Sequence, residues 1–315
     1  MNFYFAPLEG LTGYIYRKAH HAFFSKGIAK YFSPFIVANK SESFKTRDLN
    51  DILPENNQGI QLVPQILTNN ADDFIHTAKR IKLLGYGEIN LNLGCPSGTV
   101  VSKNRGSGFL IKRAELDLFL EKIFSQQATK ISVKTRIGKD SPEEFDELME
   151  IFNKYPMEEL IIHPRIQKDY YKNKPNMAAF QVAVSRSKNP VCYNGDIFTQ
   201  EDFSKFSAGY PDVGTVMLGR GLLMNPGLAE ELLYNIKLEK GLLKNFHDQI
   251  YGGYKRILFG EKDVLFKMKE LWSYMILTFS DNAKPLKRIK KAQSLHAYEE
   301  AVACLFSESD IMGNG

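Results

Sequence analysis

The sequence predicts an α/β fold, a (β/α)8 TIM barrel followed by a small all-helical C-terminal domain, on three observations. Short apolar runs alternate with helix-patterned stretches up to about residue 240, eight such runs fit in that span, and beyond residue 244 the strand pattern stops. Strand–helix alternation implies parallel strands with crossover helices, and eight units in roughly 250 residues match a closed barrel. An open doubly wound sheet would need a G-x-G-x-x-G turn after its first strand. Pro7-Leu8-Glu9-Gly10-Leu11-Thr12-Gly13 does not fit that pattern.

The strand candidates, in chain order, are 3–7, 31–37, 60–66, 88–93, 130–135, 159–163, 190–193 and 213–218. Between them, Asn70 reads as the N-cap of a helix whose Phe74, Ala78, Ile81 and Leu84 form one apolar stripe. Ser141-Pro142-Glu143-Glu144 reads as an N-cap, a proline at N1 and acids at the positive end of the helix dipole. Segments 114–124 and 199–206 carry similar patterns. Three helices are expected at 246–259, 264–279 and 286–306, with a break at 281–285. The expected division is a barrel of residues 1–243 carrying the chemistry and a helical domain of residues 244–315.

With 43% hydrophobic and 24% charged residues in 315, the composition is that of a globular chain and excludes disordered or collagen-like classes. Three cysteines cannot form a dense disulfide framework. The N-terminus lacks a basic n-region, and no run approaches the ~18 apolar residues of a membrane span. A soluble, cytoplasmic protein without a membrane partner is expected. Neither C-x2-C nor H-E-x-x-H spacing occurs, so no metal is expected. Cys192 and Cys304 read as buried small hydrophobes, and His20-His21 as a surface pair. The net charge of +5 decides little, but 255–291 holds ten Lys and Arg against four acids, the footprint of a polyanion-binding segment.

Barrel chemistry sits at the C-terminal ends of the strands. Just past those ends stand Glu9, Asn39 with Lys40, Gln65, Asn92 with Cys95, Lys134 with Arg136, His163 with Arg165, Asn194 with Asp196, and Gly219 with Arg220. Asn194-Gly195-Asp196 and Gly219-Arg220 follow the seventh and eighth strands, where barrels commonly bind phosphate through loop N–H groups and a helix N-terminus. Lys134, inside an apolar strand, is suited to stabilise negative charge on a bound reduced ring, and Gln65 offers both a donor and an acceptor to a planar amide-like edge. His163 reads equally as a core histidine or a ligand contact. Cys95, on the turn Leu93-Gly94-Cys95-Pro96-Ser97, suits a general acid, since a thiol with a reference pKa of about 8.5 is mostly protonated near neutrality.

In order and spacing, Ala6-Pro7-Leu8-Glu9-Gly10, Asn92-Leu93-Gly94-Cys95-Pro96-Ser97, Val133-Lys134-Thr135-Arg136, His163-Pro164-Arg165, Asn194-Gly195-Asp196-Ile197 and Leu218-Gly219-Arg220-Gly221 resemble the flavin-dependent tRNA-dihydrouridine synthases. Lys267-Met268-Lys269-Glu270-Leu271-Trp272 resembles that family's C-terminal domain. The resemblance implies an FMN-dependent oxidoreductase that uses NADPH to saturate the C5–C6 bond of uridines in tRNA. It implies that Pro7, Leu8 and Glu9 border the flavin, that Gln65, Lys134 and His163 contact it, and that Asn194, Gly195, Asp196, Gly219 and Arg220 hold its phosphate. Cys95 would protonate C5. Asn92 and Arg165 would orient the uracil, and Lys168 and Tyr170 would touch the nucleotide. Pro164 and Leu8 depart from that family's usual Gly or Ala and Met. The alternatives are a flavin barrel acting on a free small molecule, such as a dihydroorotate dehydrogenase-like enzyme or an ene-reductase, and a non-catalytic RNA-binding module. A monomer is expected.

Overall fold

The computed structural model describes residues 1–312 except 42, 127 and 128. Eight parallel strands close in sequence order into a barrel: β1 (Asn2–Phe5), β2 (Ile28–Val37), β3 (Leu62–Leu67), β4 (Glu88–Leu93), β5 (Lys130–Gly138), β6 (Leu160–Ile166), β7 (Val191–Tyr193) and β8 (Thr215–Leu218). β8 pairs back onto β1, so the sheet has no free edge. All eight expected strands form, with ends shifted by a few residues.

Side chains alternate across each strand, so the barrel interior is built from every second residue. Tyr4, Phe32, Val63, Ile161, Cys192 and Met217 form its apolar middle. Two residues before Phe32 and Ile161 stand Lys30 and Glu159, with Glu88 at the start of β4; two residues after Val63, Ile161 and Cys192 stand Gln65, His163 and Asn194. Pro34 has no N–H for the ladder, and the β2–β3 register shifts between Phe32 and Phe35. There the Gln65 N–H donates to the Ser33 hydroxyl at 3.0 Å, which re-satisfies the broken rung.

The charged floor has a measurable consequence. Glu159 is 5% exposed. Its Oε1 accepts from the Tyr4 hydroxyl at 3.3 Å, while its Oε2 has no hydrogen-bond partner. Burial, with Glu88 adding to it against Lys30, pushes its pKa up to about 7. A carboxyl raised in the folded state supplies stability that is complete below its ordinary value of 4.5 and is lost as pH rises through about 7. Glu159→Gln is therefore expected to flatten the stability profile between pH 5 and 8 and to gain on the order of 3 kcal/mol at pH 8. Denaturant unfolding at the two pH values checks this, and parallel losses in parent and variant would rule it out.

The chain divides into two compact units. The first, Met1–Pro7, Ala29–Asp196 and Gly209–Leu218, contains the barrel and the helices Thr46–Ile52, Ala71–Leu83, Arg113–Gln126, Glu144–Phe152 and Met177–Arg186. Asn70 caps its helix as expected, its Oδ1 accepting from the Asp73 N–H at 3.0 Å. Ser141 does not cap. The helix begins at Glu144, whose carboxylate folds back to accept the N–H groups of Lys139, Asp140 and Ser141.

The second unit comprises Leu8–Ile28, Ile197–Ala208 and the chain from Gly219 on. Its helix Tyr14–Phe24 packs on Lys240–Ile257, where Gly253 leaves room for Ile15; a Cβ there would lie 2.7 Å from the isoleucine. His20, expected at the surface, is fully buried, and its Nε2 lies 3.0 Å from the Pro226 carbonyl. Burial pushes its pKa down to about 3, so it stays neutral. The helix expected over 286–306 is two, Ala283–Lys291 and Leu295–Glu308, because the Ser294 hydroxyl accepts from the Ala297 N–H and starts a new helix. Pro285 lies in the first turn of its helix, where no N–H is needed, rather than in the break. Cys192 is buried as expected, but Cys304 is partly exposed. Among the described residues no helix is long and apolar enough to cross a membrane.

Candidate active site

Gln65, Asn92, Cys95, Lys134, His163, Arg165, Asn194 and Asp196 all belong to the first unit, at the C-terminal ends of β3 to β7. Asn92 pairs in register with Lys134, and Arg136 with His163, so neighbouring strands deliver neighbouring groups.

The turn bearing Cys95 is held from several sides. Asn92 Oδ1 accepts the N–H groups of Gly94 at 3.0 Å and Cys95 at 2.9 Å. The Cys95 carbonyl accepts the Ser107 N–H at 3.1 Å and hydroxyl at 2.8 Å. Gly106 packs on this turn at φ +55°, and a Cβ there would sit 2.8 Å from the Cys95 carbonyl, so only glycine fits. Cys95 itself is partly exposed.

Behind it runs a line of amides. Asn92 Nδ2 donates to Gln65 Oε1 at 2.7 Å, Gln65 Nε2 donates to Asn90 Oδ1 at 2.8 Å, and Asn90 Nδ2 donates to Ser132 Oγ at 3.0 Å. Reading only the strand ends passes over Asn90 and Ser132, which the structure joins to this line. Their signal is in the sequence: Asn90 and Asn92 alternate with Ile89, Leu91 and Leu93, and Ser132, Lys134 and Arg136 alternate with Ile131, Val133 and Thr135. Each polar set therefore shares one face of its strand.

Lys134 is partly buried, and its ammonium makes no hydrogen bond or ion pair among the described residues. Burial, reinforced by the nearby Arg136 cation, pushes its pKa down to about 8. Such a cation calls for an anionic partner that the protein does not supply. Arg136, 1% exposed, donates to the carbonyls of Gly94 at 3.1 Å, Ile166 at 2.8 Å and Tyr170 at 2.7 Å, fastening the β6 loop to the cysteine turn. Burial lowers its pKa to about 10. Gln167 adds a second tie, donating to the Pro96 carbonyl at 3.0 Å.

Arg165 and Asp196, expected on uracil and phosphate respectively, meet each other. The guanidinium, 1% exposed, donates to both carboxylate oxygens at 3.0 and 2.5 Å and to the Asn173 carbonyl at 2.6 Å. It also lies 3.0 Å from His163 Nε2; arginine only donates, so this nitrogen accepts and the ring is neutral with its proton on Nδ1. Asn194 Nδ2 donates to the Met217 carbonyl at 2.8 Å and braces β7 against β8. A Cβ on Gly195 would lie 2.0 Å from the Tyr193 hydroxyl, so any larger residue there would force the buried tyrosine ring to shift. Lys168 and Tyr170 are not drawn into the cluster: Lys168 pairs with Asp140 at 2.9 Å on the surface, and the Tyr170 ring is exposed.

Pro7 closes the first segment of the first unit, while Leu8, Glu9, Gly219 and Arg220 belong to the second. There the turn after Leu8 is bonded within itself, and Gly10, at φ +81°, accepts from Lys267 Nζ at 2.7 Å. Gly219 precedes the short helix Arg220–Met224, and the Arg220 guanidinium lies 5.3 Å from the Phe198 ring centroid.

A closed parallel barrel that gathers a thiol, an amide line and an unpartnered ammonium at the C-terminal strand ends defines an enzyme-like (β/α)8 protein. The sequence model of the dihydrouridine synthase (Dus) family matches residues 4–291, and the chain belongs to that family. It is 32% identical over 177 residues to a tRNA-dihydrouridine(16) synthase of Pasteurella multocida, covering 54% of this chain and 55% of the relative. It is 31% identical over 177 residues to the Haemophilus ducreyi protein of the same name, covering 55% and 52%. The match spans about half the length of these curated relatives. A tRNA-dihydrouridine synthase B of Pasteurella multocida is 25% identical over 71% of this chain and 67% of its own length. Among solved structures, morphinone reductase superposes with a TM-score of 0.52 at 12% identity, over 76% of this chain and 87% of that one. A histamine dehydrogenase from Rhizobium sp. 4-9 gives 0.56 at 11%, over 86% and 49%. At such identities these two likenesses speak for the fold alone.

Proposed function

We propose that this protein is a tRNA-dihydrouridine synthase that saturates the C5–C6 bond of uridines, with FMN as its cofactor and NADPH as reductant. One juxtaposition in a chain of this family carries the reading: Cys95 on a turn fixed by Asn92, flanked by Gln65 and the unpartnered Lys134. The flavin suits these residues because Lys134 lacks an anionic partner and Gln65 offers amide hydrogen bonds. When bound, FMN supplies the hydride that reaches C6 of uracil. Lys134 stabilises negative charge on the ring edge, and Gln65 with His163 borders it.

Cys95 transfers its thiol proton to C5 on completion of the C6–H bond, and solvent returns a proton to sulfur. Asn92 keeps an amide hydrogen for a uracil carbonyl. Arg165 orients the base indirectly by holding the β6 loop, since its guanidinium is already engaged. Asp196 is committed to Arg165 and the Asn194 amide to Met217, so in the 194–196 loop the backbone N–H groups remain for the phosphate. The family resemblance assigns Gly219 and Arg220 to the phosphate as well and Pro7, Leu8 and Glu9 to the flavin; Lys168 and Tyr170 would meet RNA at the rim.

In the helical part, residues 244–315, Lys284, Lys287 and Lys291 recur at one face of Ala283–Lys291, opposite the buried Ile289, with no acid partner among the described residues. This stripe would follow an RNA backbone and help offset the few kcal/mol needed to flip a base. Changing the three lysines to Gln is expected to reduce the slope of log affinity against log salt by about 2. Filter binding between 50 and 200 mM salt measures it, and an unchanged slope would remove the stripe from the interface.

The function is tested by incubating purified protein with unmodified tRNA and NADPH and mapping uridines that gain 2 Da, beginning at position 16, which appears in the names of two relatives. A protein purified without flavin, or reduction of free enones with tRNA unchanged, would refute the assignment.

A further inference from the structure

The amide line behind Cys95 can be oriented without assuming which end of any amide is oxygen. Backbone N–H groups only donate, and those of Gly94 and Cys95 both point at one terminal atom of Asn92. That atom is therefore the oxygen, and the Asn92 nitrogen faces Gln65. The Gln65 oxygen must then face Asn92, leaving its nitrogen to face Asn90. The Asn90 oxygen must accept it, and the Asn90 nitrogen ends the line on Ser132 Oγ. Each flip state follows from the one before it, starting at Asn92, and Asn90, with no exposed surface, carries the line from Gln65 on β3 across β4 to Ser132 on β5.

We infer that Asn90 is a positioning residue, whose carboxamide oxygen anchors the Gln65 amide in the flip state that Asn92 sets and so fixes which hydrogen Gln65 presents to a bound ring. The inference rests on the reading of the site as a flavin and uracil site, although the lock itself belongs to the chain alone. A carboxamide has two donors and two acceptor lone pairs. With Asn90 in place, the remaining hydrogens of Gln65 Nε2 and Asn92 Nδ2 are fixed as donors, which suits ring edges that carry carbonyl oxygens. Without the Asn90 oxygen, Gln65 loses the acceptor that holds its nitrogen, while Asn92 stays held by the Gly94 and Cys95 N–H groups. The main chain of the cysteine turn keeps its Ser107 contacts in either case.

The variants are Asn90→Ala and Asn90→Asp. Aspartate keeps an oxygen facing Gln65, and the Ser132 hydroxyl can rotate to donate to its other oxygen. In protein freed of flavin and labelled with 15N at side-chain amides, Asn90→Ala is expected to speed hydrogen exchange at the Gln65 NH2 group by about tenfold, the effect of one lost hydrogen bond near 1.4 kcal/mol, and to change the Asn92 NH2 group less. Asn90→Asp is expected to retain parental exchange. In the loaded enzyme, Asn90→Ala is expected to lower kcat about tenfold with the KM for tRNA unchanged and to move the visible absorption bands of the flavin, and Asn90→Asp to restore both.

Equal losses in Ala and Asp variants would mean packing alone and overturn the inference, as would parental exchange and spectrum in the Ala variant. Should Asn90→Ala fail to fold, Ser132→Ala, which removes only the end of the line, must show the same changes in smaller measure; parental behaviour there also overturns it. A parent protein that binds no flavin but still shows the exchange difference would refute the cofactor reading and leave the lock standing.

Discussion

Replacing Cys95 by alanine is expected to cut turnover on tRNA by about 10²–10⁴-fold while leaving fold and flavin content unchanged. The expectation follows from how the turn is built. Its main chain is held by Asn92 and Ser107 and shaped by Gly106, none of which uses the thiol as an anchor in the bonds described. Removing one sulfur therefore takes away the proton source and leaves these main-chain bonds of the turn in place. Dihydrouridine formed per minute, measured beside the thermal midpoint, checks it. Activity within twofold of the parent would take Cys95 out of the reaction.

The largest expected loss of stability comes from Asp196→Ala. Arg165 is 1% exposed, and the carboxylate of Asp196 accepts two of its hydrogen bonds. Removing the carboxylate strands the buried guanidinium, and because the Asp196 side chain is 30% exposed and the Asn173 carbonyl still accepts from Arg165, the cost falls at or below the low end of about 3–5 kcal/mol. Asp196→Asn keeps one acceptor and should lose less. Adding Arg165→Met to Asp196→Ala should recover part of the loss, because the uncompensated cation is gone. Denaturant midpoints of the three variants decide it. If the double variant is no better than Asp196→Ala, the pair is not the origin of the cost.

The barrel was legible because its strands are short, apolar and separated by helix periodicity, and a two-residue period leaves little doubt about which side chains face inward. The site was legible wherever a polar residue stood just past a strand. Partners that depend on three-dimensional closeness were not. Arg165 and Asp196 lie 31 positions apart and were each assigned to a ligand, yet they satisfy one another. Asn90 lies inside β4 rather than past its end, so a search of strand ends passes over it. At 292–294 the competing signals were local: a sequence rich in helix formers was divided by the single hydroxyl of Ser294. Ser141 failed as a cap because Glu144 could reach three N–H groups at once.

The pairing between β7 and β8 is thin, Cys192 with Thr215 and Tyr193 with Val216, whereas β4 and β5 pair along the whole length of β4. Cooperative units with few cross-strand bonds open at lower free energy than the rest of a domain. The barrel is thinly paired there, and the loop carrying Asn194, Gly195 and Asp196 emerges beside that joint, with the Asn194 side chain stitched across to Met217. A ligand gripping that loop would act as a rivet on a thinly paired joint of the ring. Native-state exchange at Tyr193 and Val216 would then report occupancy from a distance, slowing as the cofactor binds while the β4–β5 amides, already closed, register little change.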